Sequence, residues 1–156
     1  MPDNINNFVK FSYKLANEAR RISLYYFKKK IIIKNKLSQG FDPITLADIK
    51  IQKRLNNVIL NNFPDHSILG EEESFLKNAK YEWCIDPIDG TKSYIQGVPL
   101  WGTLISLSKD KKIILGLVDI PVLDERYIGY SSNSYKIKKN KKTKLNVRKI
   151  KKLSEA

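Results

Sequence analysis

Two aspartates three residues apart, Asp86 and Asp89, end an apolar run in the stretch Cys84-Ile85-Asp86-Pro87-Ile88-Asp89-Gly90-Thr91. The residues Trp83-Cys84-Ile85 read as a buried strand, so both carboxylates leave its C-terminal end, with Pro87 stiffening the turn between them. Carboxylates this close repel, which raises one pKa unless a positive charge neutralises them. The next cation along the segment is Lys92. A divalent ion would relieve the repulsion, and hard oxygen donors from carboxylates and a turn carbonyl suit Mg²⁺. Glu71, in Gly70-Glu71-Glu72-Glu73 at the end of an earlier strand, adds donors enough for more than one ion. Gly90-Thr91-Lys92-Ser93 then opens a short helix, whose free N–H groups and positive dipole end attract phosphate. A metal cluster beside such amides is the outline of a phosphoryl-transfer site. Spacing alone leaves plainer readings open. Asp89-Gly90-Thr91 can be a tight turn with an Asx cap, the Glu triplet a solvated loop, and Asp48 a helix cap.

The elements that must position these residues follow from periodicity. Phe8, Phe11, Leu15, Ala19, Ile22 and Tyr26 keep helical spacing and predict an amphipathic helix over 6–27. A β-branched run at 31–33 reads as a short strand or extended connector, broken by Ser38-Gln39-Gly40. Ile44, Ala47, Ile51, Leu55, Val58 and Ile59 predict a second helix, opened by Thr45 and Asp48 in capping-box spacing and ended before Phe63-Pro64. Short β-rich runs follow at 66–69, 82–85, 103–108, 113–119 and 126–131, with Ser108-Lys109-Asp110-Lys111 as a hairpin connection. Two helices and then hairpin-linked strands give an α+β fold with helices on one face of a mainly antiparallel sheet. The lysine-rich segment 135–156 reads as one more hairpin and a frayed tail.

The 156 residues fit one domain, and 42% hydrophobic residues can fill its core. The net charge of +13 raises a nucleic-acid reading. The lysines, however, fall in short runs without an RNP-like, zinc-finger or helix-turn-helix pattern, and Asn and Ile are abundant too. They read as solvated surface, with no specific nucleic-acid partner. The N-terminal stretch lacks a basic segment followed by an apolar run, and no apolar stretch is long enough to span a membrane. One cysteine, Cys84, forms no internal disulfide and is expected to be a buried thiol, in keeping with a reducing cytoplasm. The sole histidine, His66, is expected at the surface or a strand edge, without a general-acid role.

The segment 83–94, WCIDPIDGTKSY, resembles the signature W-x-x-D-P-[IL]-D-G-T-x-x-[FY] of the inositol monophosphatase superfamily. Gly70-Glu71-Glu72 and Thr45-x-Ala47-Asp48 precede it in that family's order. The wording of DPITLAD, FPDHSILGEE, DPIDGTKSYIQGVPLWGTLISL and LGLVDIP is most similar to bacterial histidinol-phosphatases. The resemblance implies the N-terminal half of a layered α/β/α/β/α sandwich. It implies Glu71, Asp86 and Asp89 as metal-binding carboxylates, with the Ile88 carbonyl as a further ligand. Thr91 with Asp48 would orient and deprotonate the attacking water alongside Mg²⁺, Glu71 sharing in its placement, and the amides of Gly90 and Thr91 would cradle phosphate. Lys36 lies near the mouth of the site in such an alignment, without an assigned role. The implied reaction is in-line attack of water on a phosphomonoester with no covalent enzyme intermediate. Histidinol phosphate is the first candidate substrate, and inositol phosphate or sugar phosphates are the alternatives.

The family's second half carries a W-D-x-x-A-G motif whose aspartate completes the site, and no such motif follows Thr91 here. Leu153-Ser154-Glu155-Ala156 resembles the L-S-x-A at the junction of the halves, and Ser131-Ser132-Asn133-Ser134 stands where the family has a glycine-rich turn. The expectation is therefore a single metal-site half over 1–156, weak or inactive alone. Its open sheet edge and face would seek a complementary C-terminal half or a second copy. A non-catalytic remnant serving as a binding module is the competing reading from another class.

Overall fold

The helical spacing of Phe8, Phe11, Leu15 and Ala19 produces α1 (Ile5–Tyr26) in a computed structural model that describes residues 4–30, 32–41, 43–147, 150, 152 and 154. Asn4 caps the helix, its side chain accepting the Asn6 N–H at 2.9 Å. In α2 (Leu46–Asn62) the capping box forms in full. Asp48 accepts the Thr45 backbone N–H at 2.8 Å and its hydroxyl, while Thr45 Oγ1 accepts from the Ala47 and Asp48 amides. The helix stops at Phe63, where Pro64 disfavours helical backbone in the residue before it.

The extended run expected over 31–33 appears as β1 (Ile33–Asn35), with Ile31 outside the described residues. It pairs antiparallel with β2 (Pro43–Thr45), a strand hidden from sequence reasoning because Pro43 signals a turn. Proline is tolerated at the first residue of a strand, where no ladder N–H is needed. The main sheet has seven strands in the order β3 (Ser67–Gly70), β4 (Tyr81–Asp89), β5 (Gly102–Lys109), β6 (Lys112–Ile120), β7 (Glu125–Tyr130), β8 (Asn133–Lys138) and β9 (Lys141–Leu145). β3 runs parallel to β4, and every other neighbouring pair is antiparallel. A short helix, α3 (Thr91–Ile95), joins β4 to β5.

Period-two alternation buries Trp83, Ile85, Ile105, Leu107, Leu115 and Leu117 on the face covered by α1 and α2. The opposite face presents Leu69, Val118 and Cys84 to solvent. The expectation of a buried thiol is thus corrected: Cys84 lies between Trp83 and Ile85 in sequence, and so points away from both. His66 is also corrected, because it is buried. Its ring stacks on Phe63 at 4.6 Å and Tyr81 at 4.9 Å, and its Nδ1 accepts the Trp83 Nε1 proton at 3.1 Å. The polar tip of a buried tryptophan needs such a partner, which gives His66 a core role.

Three hairpins close on two-residue turns in the left-handed region: Asp110-Lys111 (φ 49° and 64°), Ser131-Ser132 (48° and 59°) and Lys139-Asn140 (47° and 62°). Serines at 131 and 132 thus accept a conformation that suits glycine, at a cost of about 1 kcal/mol each. The last hairpin pairs β8 with β9 from Ser134–Leu145 to Lys138–Lys141. Residues 148, 149, 151, 153, 155 and 156 lie outside the described residues, and with them most of the L-S-x-A segment. Among the described residues no helix is long and apolar enough to cross a membrane.

Candidate active site

β4 runs further than expected, through both aspartates, because a bulge absorbs the proline. Pairing with β5 holds to Asp86–Leu104 and then shifts before resuming at Asp89–Gly102. Pro87 has no N–H to give the ladder, and its carbonyl accepts the buried Thr103 hydroxyl at 2.8 Å. The bulge leaves Asp86 half-buried, with Oδ1 buried and unpartnered, and Asp89 exposed. Gly90 then turns in the left-handed region (φ 86°), where a Cβ would meet the Leu100 carbonyl oxygen at 2.9 Å. Thr91 opens α3 and donates its hydroxyl to the Ile88 carbonyl at 3.0 Å. Tyr94 pins the helix to α1 through a 2.7 Å bond to the Ser23 carbonyl.

Glu71 arrives from the loop after β3, its backbone N–H bonded to the Ile85 carbonyl at 3.0 Å. Lys36, from the segment between β1 and β2, pairs with Glu71 at 2.8 Å and Glu72 at 2.7 Å. Burial opposes the Lys36 charge, but the two carboxylates outweigh it and hold the ammonium above its ordinary range. Asp48 lies in the first turn of α2, and burial raises its carboxyl. Burial likewise raises Glu72, against the pull of Lys36. Asp86 is pushed up to about 7, first by burial, then by the charge of Glu71, a hydrogen bond shared with it, and the charges of Asp89 and Asp48. Asp48, Glu71, Glu72, Asp86 and Asp89 therefore form one field of repelling negative charge, partly offset by Lys36.

Among the described residues, no three His, Cys, Asp or Glu side chains are grouped closely enough to grip an ion as they stand. Glu71 leans to Lys36, and Asp48 is engaged with Thr45. The donor chemistry still fits a hard divalent cation: carboxylates in excess, the Ile88 carbonyl, and an orphaned buried oxygen on Asp86. Glu71, Asp86, Ile88, Asp89, Gly90 and Thr91 meet at one end of β3 and β4, with Asp48 facing them from α2. Asp48 and Thr91 hold separate partners, Thr45 and the Ile88 carbonyl. Sequence reasoning missed Glu72, whose side chain is far more buried than that of Glu71. It also missed Thr103, which holds the bulge. The triplet marked the place of Glu72, but nothing marked which glutamate points inward.

A recess of about 190 Å³ opens beside Asp89, walled by Pro99, Leu100, Trp101, Val118 and Leu123. A larger groove of about 750 Å³, walled by Phe8, Tyr81, Ile113 and Tyr130, lies at the other end of the strands, away from every candidate residue. The smaller recess is the one that adjoins the carboxylates.

The sequence model of the inositol monophosphatase family matches residues 4–156, and the chain belongs to that family. It is 39% identical over 136 residues to the bifunctional phosphatase IMPL2 of Arabidopsis thaliana, covering 85% of this chain and 39% of that protein. It is 35% identical over 121 residues to a histidinol-phosphatase of Chlorobaculum parvum, covering 76% of this chain and 46% of that one. Among solved structures, an inositol monophosphatase of Thermotoga maritima superposes with a TM-score of 0.77 at 27% identity, over 86% of this chain and 55% of that one. The chain thus spans less than half the length of those two curated relatives.

Proposed function

We propose that the chain carries the metal-site half of a Mg²⁺-dependent phosphomonoesterase, with histidinol phosphate as its first substrate. The observation that carries this reading is the convergence of Asp86, Asp89, Glu71 and Asp48 beside the left-handed Gly90 turn. Glu71, Asp86, Asp89 and the Ile88 carbonyl would hold the metal. Bound there, Mg²⁺ would neutralise these carboxylates and the substrate's phosphate charge and acidify water.

The residues of the chain define the rest of the chemistry. The Gly90 and Thr91 amides face phosphate oxygens at the start of α3, where backbone N–H groups lack helical partners. The Thr91 hydroxyl and Glu71 orient a water in line with the scissile P–O bond. That water attacks phosphorus as the P–O ester bond breaks, and the departing ester oxygen takes a proton from solvent to leave as an alcohol. The water's proton goes to the Thr91–Asp48 couple once Thr91 turns from the Ile88 carbonyl towards Asp48. Burial makes Asp48 a stronger base than an ordinary aspartate, which suits it to accept that proton. Histidinol phosphate ranks above inositol phosphate or sugar phosphates on the resemblance of the DPITLAD and LGLVDIP segments and the histidinol-phosphatase named among the relatives. A cytoplasmic setting goes with this reading.

The open sheet face and the fraction of its relatives that the chain spans support a further element of the proposal. Full activity requires a complementary C-terminal half, or a second copy, seated on that face. The Lys36 ion pairs favour the second reading, a non-catalytic binding module, because they neutralise the carboxylates without a metal.

Phosphate release with Mg²⁺ from histidinol phosphate, inositol phosphate and a nucleotide panel tests the proposal. Slow release that prefers histidinol phosphate and vanishes in Asp89→Asn is expected. Release unchanged in Asp89→Asn would refute the site, and vigorous turnover by the chain alone would refute the need for a second half.

A further inference from the structure

The buried face of α2 is not uniformly apolar. Asp48, Gln52 and Asn56, spaced four residues apart, form a polar stripe along it, each no more than 1% exposed. A helix that served only to cover a sheet would carry leucine or isoleucine at such positions, as it does at Ile51, Leu55 and Ile59, because a buried amide is costly unless its hydrogen bonds are met. Asp48 turns to Thr45, while Gln52 and Asn56 turn to each other and to the loop that carries Glu71. Gln52 Nε2 donates to Asn56 Oδ1 at 2.9 Å, which aims the Asn56 amide at Glu73. Asn56 Nδ2 donates to the Glu73 carbonyl and to its Oε2, both at 3.3 Å. Gln52 Oε1 accepts the Glu72 N–H at 3.5 Å. The fit is tight enough to dictate Gly70, where a Cβ would lie 2.4 Å from Gln52 Nε2 and 2.3 Å from the Glu73 carbonyl oxygen. Outside this stripe the loop is closed by the Ser74 hydroxyl on Gly70 and by the bridge between Ile68 and Phe75.

We infer that Gln52 and Asn56 are positioning residues. Through them α2 fixes the backbone of residues 70–73 against the same helix that carries Asp48, so that Glu71 and Asp48 are held at one distance by a rigid element. Neither amide touches substrate or metal; both act through the loop. The inference deepens the proposed site and rests on it only for the metal readout.

Gln52→Met tests it, since methionine keeps length and helix propensity and removes the amide. Hydrogen exchange of the amides at 71–73 is expected to quicken by at least about tenfold while β4 and β5 keep their protection. Mn²⁺ affinity, read by the loss of its free-ion EPR signal, is expected to weaken by about tenfold, the size typical for a partner that orients a ligand. Ile51→Val, a core change on the same helix, is expected to lower the melting temperature without moving either readout. Exchange at 71–73 within about twofold of the unaltered chain would overturn the proposal. Should Gln52→Met fail to fold, Asn56→Leu fills similar space, removes the donors to Glu73 without adding a charge beside its carboxylate, and gives the same readouts. Asp89→Asn separates the two readings, because Asp89 is exposed and the Glu71 hydrogen bond belongs to Asp86. It is expected to abolish Mn²⁺ binding without altering exchange at 71–73. A chain that binds no Mn²⁺ but shows faster loop exchange in Gln52→Met would sink the metal site and leave the positioning role standing.

Discussion

Lys36 occupies the position of an internal counterion, bonded to both Glu71 and Glu72. An arriving metal must share those carboxylates with an ammonium already there, and like charges a few ångströms apart repel even at a partly solvated site. Lys36→Met is therefore expected to tighten Mn²⁺ binding by about 3- to 10-fold at low salt, with the gain shrinking as ionic strength rises. Titration by EPR checks it, and weaker binding would show that Lys36 supports the metal instead. Asp86 makes a second prediction, through pH. Its carboxyl is raised from 3.8 to about 7, chiefly by burial and then by Glu71. The folded state thus holds a proton that the unfolded chain has given up, and this contribution to stability is present below about pH 4 and lost as pH rises towards 7. In metal-free buffer at pH 7.5, Asp86→Asn is expected to raise the melting temperature by roughly 3–8 °C, and to change little at pH 3.5. Because Asp86 shares a hydrogen bond with Glu71, the midpoint of that profile belongs to the cluster. A flat difference between variant and parent across this range would count against the buried carboxylate field.

At the scale of elements, α1 is locked to the sheet by charge as well as by packing. Asp119, fully buried on β6, receives Arg20 from α1 through two bonds of 3.0 and 2.9 Å, and Arg126 from β7 at 2.8 Å. Removing the shared acceptor strands two guanidinium groups, so Asp119→Ala is expected to cost about 3–5 kcal/mol in urea unfolding. Asp124→Asn, which removes the charge of an exposed partner of the same Arg20 and keeps a residue that tolerates the left-handed backbone there (φ 51°), should leave the midpoint almost unmoved. Equal effects would mean that the network adds nothing beyond surface pairing. This lock was not legible in the sequence, since Arg20 and Asp119 are far apart along the chain and neither stands in a motif. The helices themselves were legible, because Phe8 to Ala19 and Ala47 to Ile59 keep an apolar stripe that one period explains. So was the capping box, a local device. What failed was whatever depended on which face of a strand looks inward. Cys84 sits among apolar neighbours yet faces solvent, and His66 sits in a polar turn yet is drawn under the aromatic cluster by Trp83. The candidate site residues came from three short motifs, at 45–48, 70–72 and 83–94, whereas Gln52, Asn56 and Thr103 act through long-range bonds that no local pattern encodes.

For the molecule as a whole, the sheet is covered by helices on one face, while its other face offers Leu69, Cys84 and Val118 to water. Val118 continues into Leu100 and Leu123 around the recess at Asp89, so the uncovered apolar surface and the candidate site share a border. Contiguous apolar surface of this kind favours association, and an occupant of this face would also wall the site and exclude water from it. A chain with this surface is expected to self-associate as its concentration rises, in the absence of a complementary half. Val118→Lys is expected to shift the sedimentation profile towards monomer. It should leave the melting temperature within about 2 °C, because Val118 is partly exposed and points away from the helical layer. If the parent chain sediments as a monomer over the same concentrations, the exposed face is tolerated as surface. If Val118→Lys unfolds the chain, Val118 belongs to the packed layer after all. Dissociation by Val118→Lys with the fold intact would place the contact on the face that borders Asp89.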